Sequence, residues 1–148
     1  MTEKILVPID GSDGAFKALD VAVDLVRSRG GTLSLLHVVP SGSLPRGLEQ
    51  WAQAEHVNSP PQWLYEQGVA DALLDAATDR VRDRGADVSQ TYTERGDAAE
   101  HIVDLARREK FSMVVMGTRG LSKLEGLVIG SVAHKVAHLA PCSVVSVR

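Results

Sequence analysis

Gly117-Thr118-Arg119-Gly120-Leu121-Ser122-Lys123-Leu124-Glu125-Gly126-Leu127-Val128-Ile129-Gly130-Ser131 follows the apolar run Val114-Val115-Met116 and precedes a helical pattern from Val132 to Leu139. The order is strand, glycine loop, helix. Gly117, Gly120 and Gly130 carry no Cβ, which suits a sharp turn or a close approach of the backbone to a ligand. A helix beginning at Gly130-Ser131 points free N–H groups and the positive end of its dipole outward together. With the Ser131 hydroxyl, these donors suit phosphate oxygens. An ordinary connection would use the same residues, with the glycines serving turns and Ser131 as N-cap. The stretch alone leaves both readings open.

Working outward, the chain repeats the same alternation. Lys4 to Asp10 is almost continuously apolar, as a strand buried on both faces of a parallel sheet is, and Pro8 should end it. After the turn Gly11-Ser12-Asp13-Gly14, the residues Phe16, Leu19, Ala22, Val23 and Val26 recur at helical spacing up to Gly30-Gly31. Thr32 to Val39 is a second buried strand. Pro40 to Gln62, with four prolines and two glycines, breaks the rhythm. It reads as a surface excursion, expected to be the most mobile part of the fold, with Trp51 as a local anchor or lid. Trp63 to Val81 is helical, with Gly85 as its stop.

Asp87 to Glu94 alternates, as a half-exposed edge strand does. Asp97 and Glu100 form a capping-box pattern before a third helix. Phe111 to Met116 is the fourth strand, and Ser143 to Val147 closes the chain after Ala140-Pro141. Strands alternating with helices throughout define one domain over residues 1–148, a doubly wound, Rossmann-like α/β fold. Its open, five-stranded parallel sheet should carry helices on both faces.

Composition narrows the function. The formal net charge of −3 and an aromatic content of 4% give no footing for nucleic acid. No apolar run is long enough to span a membrane, and the opening Met-Thr-Glu-Lys lacks a signal-peptide pattern. A lone Cys142, read as a buried structural residue, makes an internal disulfide impossible and a reducing cytoplasm the expected location. The Walker pattern and the G-x-G-x-x-G fingerprint are both missing. His134 and His138 lie four apart without the glutamate of a zinc protease motif, and read as helix-surface residues.

In a doubly wound sheet, ligands bind beyond the carboxyl ends of the strands where strand order reverses. If the first and fourth strands are neighbours, Pro8-Ile9-Asp10, His37-Val38-Val39 and Met116-Gly117 converge on one crevice. Asp10 would accept a bond from a ribose hydroxyl or hold a metal-bound water, or else cap the turn that follows it.

These residues carry a resemblance. Val7-Pro8-Ile9-Asp10-Gly11-Ser12, the pattern Gly117-x2-Gly120-x9-Gly130-Ser131 and the ending Ala140-Pro141-Cys142-Ser143-Val144-Val145 together resemble the ATP-binding branch of the universal stress protein family. The match covers the chain apart from the excursion between Ser41 and about Pro61. It implies an adenine nucleotide (ATP, AMP or cyclic AMP, with magnesium as a further option) as ligand. Pro8, Ile9, Asp10 and Val38 would meet the base and ribose, and Met116 would border them. Gly117, Gly120, Gly130, Ser131 and Val132 would hold the phosphates and ribose. Arg119 either adds charge there or is a solvated surface residue, and Glu125 should point outward. The resemblance also implies a homodimer paired through Ser143 to Val147. Two other functions stay open on this fold: a slow ATPase or nucleotidyl transferase, and a nucleotide-free dimeric adaptor.

Overall fold

A computed structural model describes residues 2–40, 54, 62–119 and 129–148. The expectations for Trp51, Gly120, Glu125 and most of the 41–62 excursion lie outside those residues. Among the described residues the strands are β1 (Glu3–Pro8), β2 (Gly31–Val39), β3 (Thr91–Arg95), β4 (Met113–Gly117) and β5 (Ser143–Val147). The helices are α1 (Asp13–Arg29), α2 (Gln62–Asp83), α3 (Ala98–Arg108) and α4 (Ser131–Leu139). All strand pairs are parallel, in the order β3-β2-β1-β4-β5. Order therefore reverses between β1 and β4, the adjacency that the expected convergence of strand ends requires.

Period-two alternation sends consecutive strand residues to opposite faces. Ile5, Val7, Ile9, Leu33, Leu35 and Val115 pack with α1 and α2 in one core. Leu6, Leu36, Val114 and Met116 pack with α3 and α4 in the other. Because both faces are covered, the central strands read as unbroken apolar runs. β3 and β5 lie at the sheet edges, and the side chains of β3 alternate between exposed and half-buried.

Several boundaries differ from the sequence expectation. β3 is ordered as a strand only from Thr91, although Ser89 N–H and Gln90 C=O already bond to β2 (2.7 and 2.9 Å). β4 begins at Met113 rather than Phe111. The Phe111 ring instead sits under the Lys4 ammonium, 4.8 Å from its centroid, and edge-on to Tyr92. Cys142 is half-exposed rather than buried, packed at the margin of the α3–α4 core.

Side-chain bonds tie the layers together. Arg80 grips Asp20 with two hydrogen bonds of 2.8 and 2.7 Å, joining α2 to α1 and holding the Asp20 carboxyl below its ordinary range. The buried Glu66 of α2 pairs with Arg95 at the end of β3.

One contact sets the spacing around the cleft. A Cβ on Gly117 would lie 2.9 Å from the carbonyl carbon of Gly14 and 3.0 Å from its oxygen. Both are backbone atoms that cannot swing aside. Gly117→Ala should therefore cost about 1–3 kcal/mol as overpacking. It should appear as a lower urea midpoint with an unchanged slope. An unaltered midpoint would mean that this contact is loose.

Candidate functional site

The carboxyl ends of β1, β2 and β4 and the first turns of α1, α3 and α4 enclose a cleft of about 250 Å³. Of the sequence-predicted residues, Pro8, Ile9, Asp10, Val38, Met116, Gly117, Arg119, Gly130, Ser131 and Val132 all line it. Leu36, Ile102 and Ala133 extend its apolar wall, so one part is apolar. Arg119 is exposed at the rim.

The other part is polar and built from chain turns. Asp10 Oδ1 accepts hydrogen bonds from the Ser12 N–H (3.0 Å) and the Ser12 hydroxyl (2.5 Å). Ser12 Oγ in turn accepts from the Ala15 N–H (3.2 Å) and so caps α1. The capping role of Asp10 therefore occupies one carboxylate oxygen. Oδ2 takes no hydrogen bond from a described residue, so the ligand-facing role remains compatible with it.

The loop that dominates the sequence is closed at its base by Thr118. This buried residue donates its N–H to Val147 C=O (2.9 Å) and accepts at its own carbonyl from Gly130 N–H (2.5 Å). The two ends of the loop thus meet at the Thr118 carbonyl, while its N–H anchors them to β5. α4 begins directly afterwards, with Gly130 as N-cap and Ser131 as its first residue; the alternative of Ser131 as N-cap does not hold. Gly130 makes no side-chain cap, whereas Ser12 and Asp97 cap α1 and α3. The amides of Ser131, Val132 and Ala133 have no acceptor among the described residues. They line the cleft at the positive end of the helix. The backbone of Gly130, at φ −72° and ψ 164°, is ordinary extended chain, so its lack of a side chain answers no backbone strain.

Sequence reasoning assigned no role to His37, which the structure places at the cleft with 1% exposure. The available signal was a histidine inside the otherwise apolar strand Leu35-Leu36-His37-Val38-Val39. Its Nδ1 lies 2.8 Å from the Ile9 carbonyl oxygen. Burial pushes its pKa below the ordinary value, against the smaller opposing effects of the Ile9 bond and the Asp10 charge. His134 and His138 are exposed on α4 with ring centroids 4.7 Å apart. Among the described residues no three His, Cys, Asp or Glu side chains gather as metal ligands.

An open parallel sheet with an apolar-walled cleft and an uncapped helix start at its switch point defines a Rossmann-like α/β domain. The universal stress protein family model matches residues 1–148, and the chain belongs to that family. It is 34% identical to universal stress protein YxiE of Bacillus subtilis (strain 168), over the full length of both chains. The solved structure of universal stress protein UspA from Lactobacillus plantarum is similar, with a TM-score of 0.77 at 25% identity, covering 99% of this chain and 97% of that one. So is the universal stress protein from Archaeoglobus fulgidus in complex with dAMP, with a TM-score of 0.69 at 24% identity and coverage of 99% and 98%.

His37 makes stability depend on pH in a defined direction. Its folded pKa lies below the ordinary 6.5, so protonation favours the unfolded chain. The full contribution is present above about pH 6.5 and is lost as pH falls from there through the folded value. The melting temperature of the wild type should drop more steeply between about pH 7 and 5 than that of His37→Asn. Parallel curves would show that His37 does not titrate with folding.

Proposed function

We propose that this chain binds an adenine nucleotide in the cleft at the β1–β4 switch point and changes its protein partners with occupancy. The observation that carries this reading is the open start of α4. Three amides without a described acceptor line a cleft whose opposite walls are apolar. Anions bind at such helix starts, and an apolar-walled cleft suits a purine.

On this reading Pro8, Ile9, Val38 and Met116 flank the base, and Asp10 Oδ2 accepts from a ribose hydroxyl. The amides of Ser131, Val132 and Ala133 receive phosphate oxygens, with Gly117 and Gly130 beside them; the Gly130 amide itself is held by the Thr118 carbonyl. Arg119 supplies positive charge at the rim, and Gly120 joins the phosphate set by resemblance. Magnesium, if it accompanies the nucleotide, would rest mainly on phosphate oxygens and water, because Asp10 is the only carboxylate among the described residues lining the cleft. The dAMP complex of the Archaeoglobus protein attests the shared fold; the ligand for this chain rests on its own cleft residues. The proposed location is cytoplasmic. Burial raises the Cys142 thiol pKa, which suits a quiet structural cysteine in a reducing compartment.

ATP, AMP and cyclic AMP should each be tested for raising the melting temperature of nucleotide-free protein. At about a hundred times the dissociation constant the gain is about 2.7 kcal/mol, a shift of several degrees for a domain of this size. Gly130→Val suits the observed backbone angles yet puts branched carbons where phosphate must approach, so it should remove most of the shift. Ser131→Ala should weaken binding by about 1–2 kcal/mol. An undiminished shift in Gly130→Val would place the nucleotide elsewhere. ATP turnover that Asp10→Ala abolishes would favour the enzyme reading instead.

We further propose a homodimer paired through β5. The strand lies at the sheet edge and carries neither proline nor charge between Ser143 and Val147. A two-fold axis would use this edge twice and close the assembly. Sedimentation at micromolar concentrations should show a dimer, and a monomer there would reject the pairing. The assembly itself is the better readout, because Val145 also packs against the α1–α2 core and a lysine in its place would disturb the fold.

A further inference from the structure

His37 has a polar edge that no described residue bonds. A carbonyl oxygen only accepts, so the 2.8 Å contact between Nδ1 and Ile9 C=O requires the proton on Nδ1. In the neutral ring Nε2 is then a bare acceptor, and it is buried with no hydrogen-bond partner among the described residues. A leucine like its neighbours Leu35 and Leu36 would fill the space without placing a bare nitrogen there, at the cost of the donor to the Ile9 carbonyl. The one hydrogen bond the imidazole makes among the described residues is therefore the feature that distinguishes histidine from an apolar residue here.

That bond acts on the peptide at the end of the β1 wall. The ladder between β1 and β2 runs out at Ile9, whose N–H donates to Leu36 C=O (2.8 Å). The His37 Nδ1–H holds the carbonyl of the same residue, so Ile9 is gripped at both its polar groups by consecutive residues of β2. The peptide that joins Ile9 to Asp10 is planar, and fixing its carbonyl also fixes the Asp10 amide and Cα. Asp10 Oδ1 is taken up by Ser12. The direction in which Oδ2 faces the cleft consequently depends on the plane of that peptide.

We infer that His37 is a positioning residue of the nucleotide site: through Nδ1–H and the Ile9 carbonyl it sets the placement of Asp10 beside the Val38 wall. This inference rests on the nucleotide reading proposed above.

Asparagine and glutamine separate the bond from the bulk. The Asn side-chain N–H₂ lies as many bonds from Cα as His Nδ1 and can reach the same carbonyl, whereas that of Gln matches the position of Nε2. Dissociation constants for ATP and AMP should be measured by calorimetry on the wild type, His37→Asn, His37→Gln and His37→Leu, with apo melting curves alongside. The Asn variant should bind close to wild type. The Gln and Leu variants should bind about tenfold more weakly, as the loss of one hydrogen bond implies.

Binding by His37→Leu as tight as wild type would overturn the inference, as would equal losses in Asn and Gln. Should the Gln and Leu variants not fold, nitrogen NMR of the wild-type imidazole decides. An Nδ1–H tautomer whose signals move on adding ATP supports the role, and an Nε2–H tautomer or an unmoved ring overturns it. A wild type that binds no adenine nucleotide brings down the nucleotide reading itself. Wild-type binding without rescue by asparagine removes only the assignment to His37.

Discussion

The backbone of Gly117 lies against the backbone of Gly14, and the rest of the cleft depends on that approach. The contact joins the end of β4 to the first turn of α1 across the point where strand order reverses. With no side chain between them, the two segments come close enough for Asp10, Ser12, Thr118 and Arg119 to share one concavity. An ordinary residue at position 117 would push the α1 start away from β4 and widen the slot. The glycine that sequence reasoning assigns to a phosphate thus has a packing duty as well. The two duties agree, since backbone packed this tightly is also backbone held still.

From this frame the polar groups sort into those the fold uses and those it leaves over. Ser12 and Asp97 satisfy the starts of α1 and α3, and Thr118 ties the base of the glycine loop to β5 and to Gly130. The start of α4 is treated differently, with a cap that brings no side-chain acceptor to its amides. An open amide is inexpensive in water, and it gains most from an anion that brings its own negative charge. Asp10 divides its carboxylate between the two uses, with one oxygen spent on the turn. The placement of donors, acceptor and apolar wall within one cleft is what favours a nucleotide over a simple anion.

Much of this was legible in the chain itself. Apolar runs on the β1, β2 and β4 segments, helical spacing between them and glycine or proline at the joints determined a doubly wound α/β sheet. These patterns respond to local physics: strand alternation, helix periodicity and the few backbone angles a turn permits. The cleft residues were legible for a related reason, because strand ends at a reversal of strand order converge whatever the side chains are. Boundaries were less so. Phe111 reads as strand, yet its ring is drawn to Lys4 and Tyr92, partners distant in sequence.

What only the tertiary structure decided are matters of distance between remote segments. That β1 and β4 are neighbours, that Gly117 meets Gly14 and that Thr118 joins β5 to Gly130 follow from packing the whole sheet. His37 shows the reason most clearly. In sequence it is one polar residue in an apolar strand, open to many roles. Its role depends on the Ile9 carbonyl, 28 residues away along the chain. A hydrogen bond acts over about 3 Å, and no local pattern records which distant group will arrive within that range.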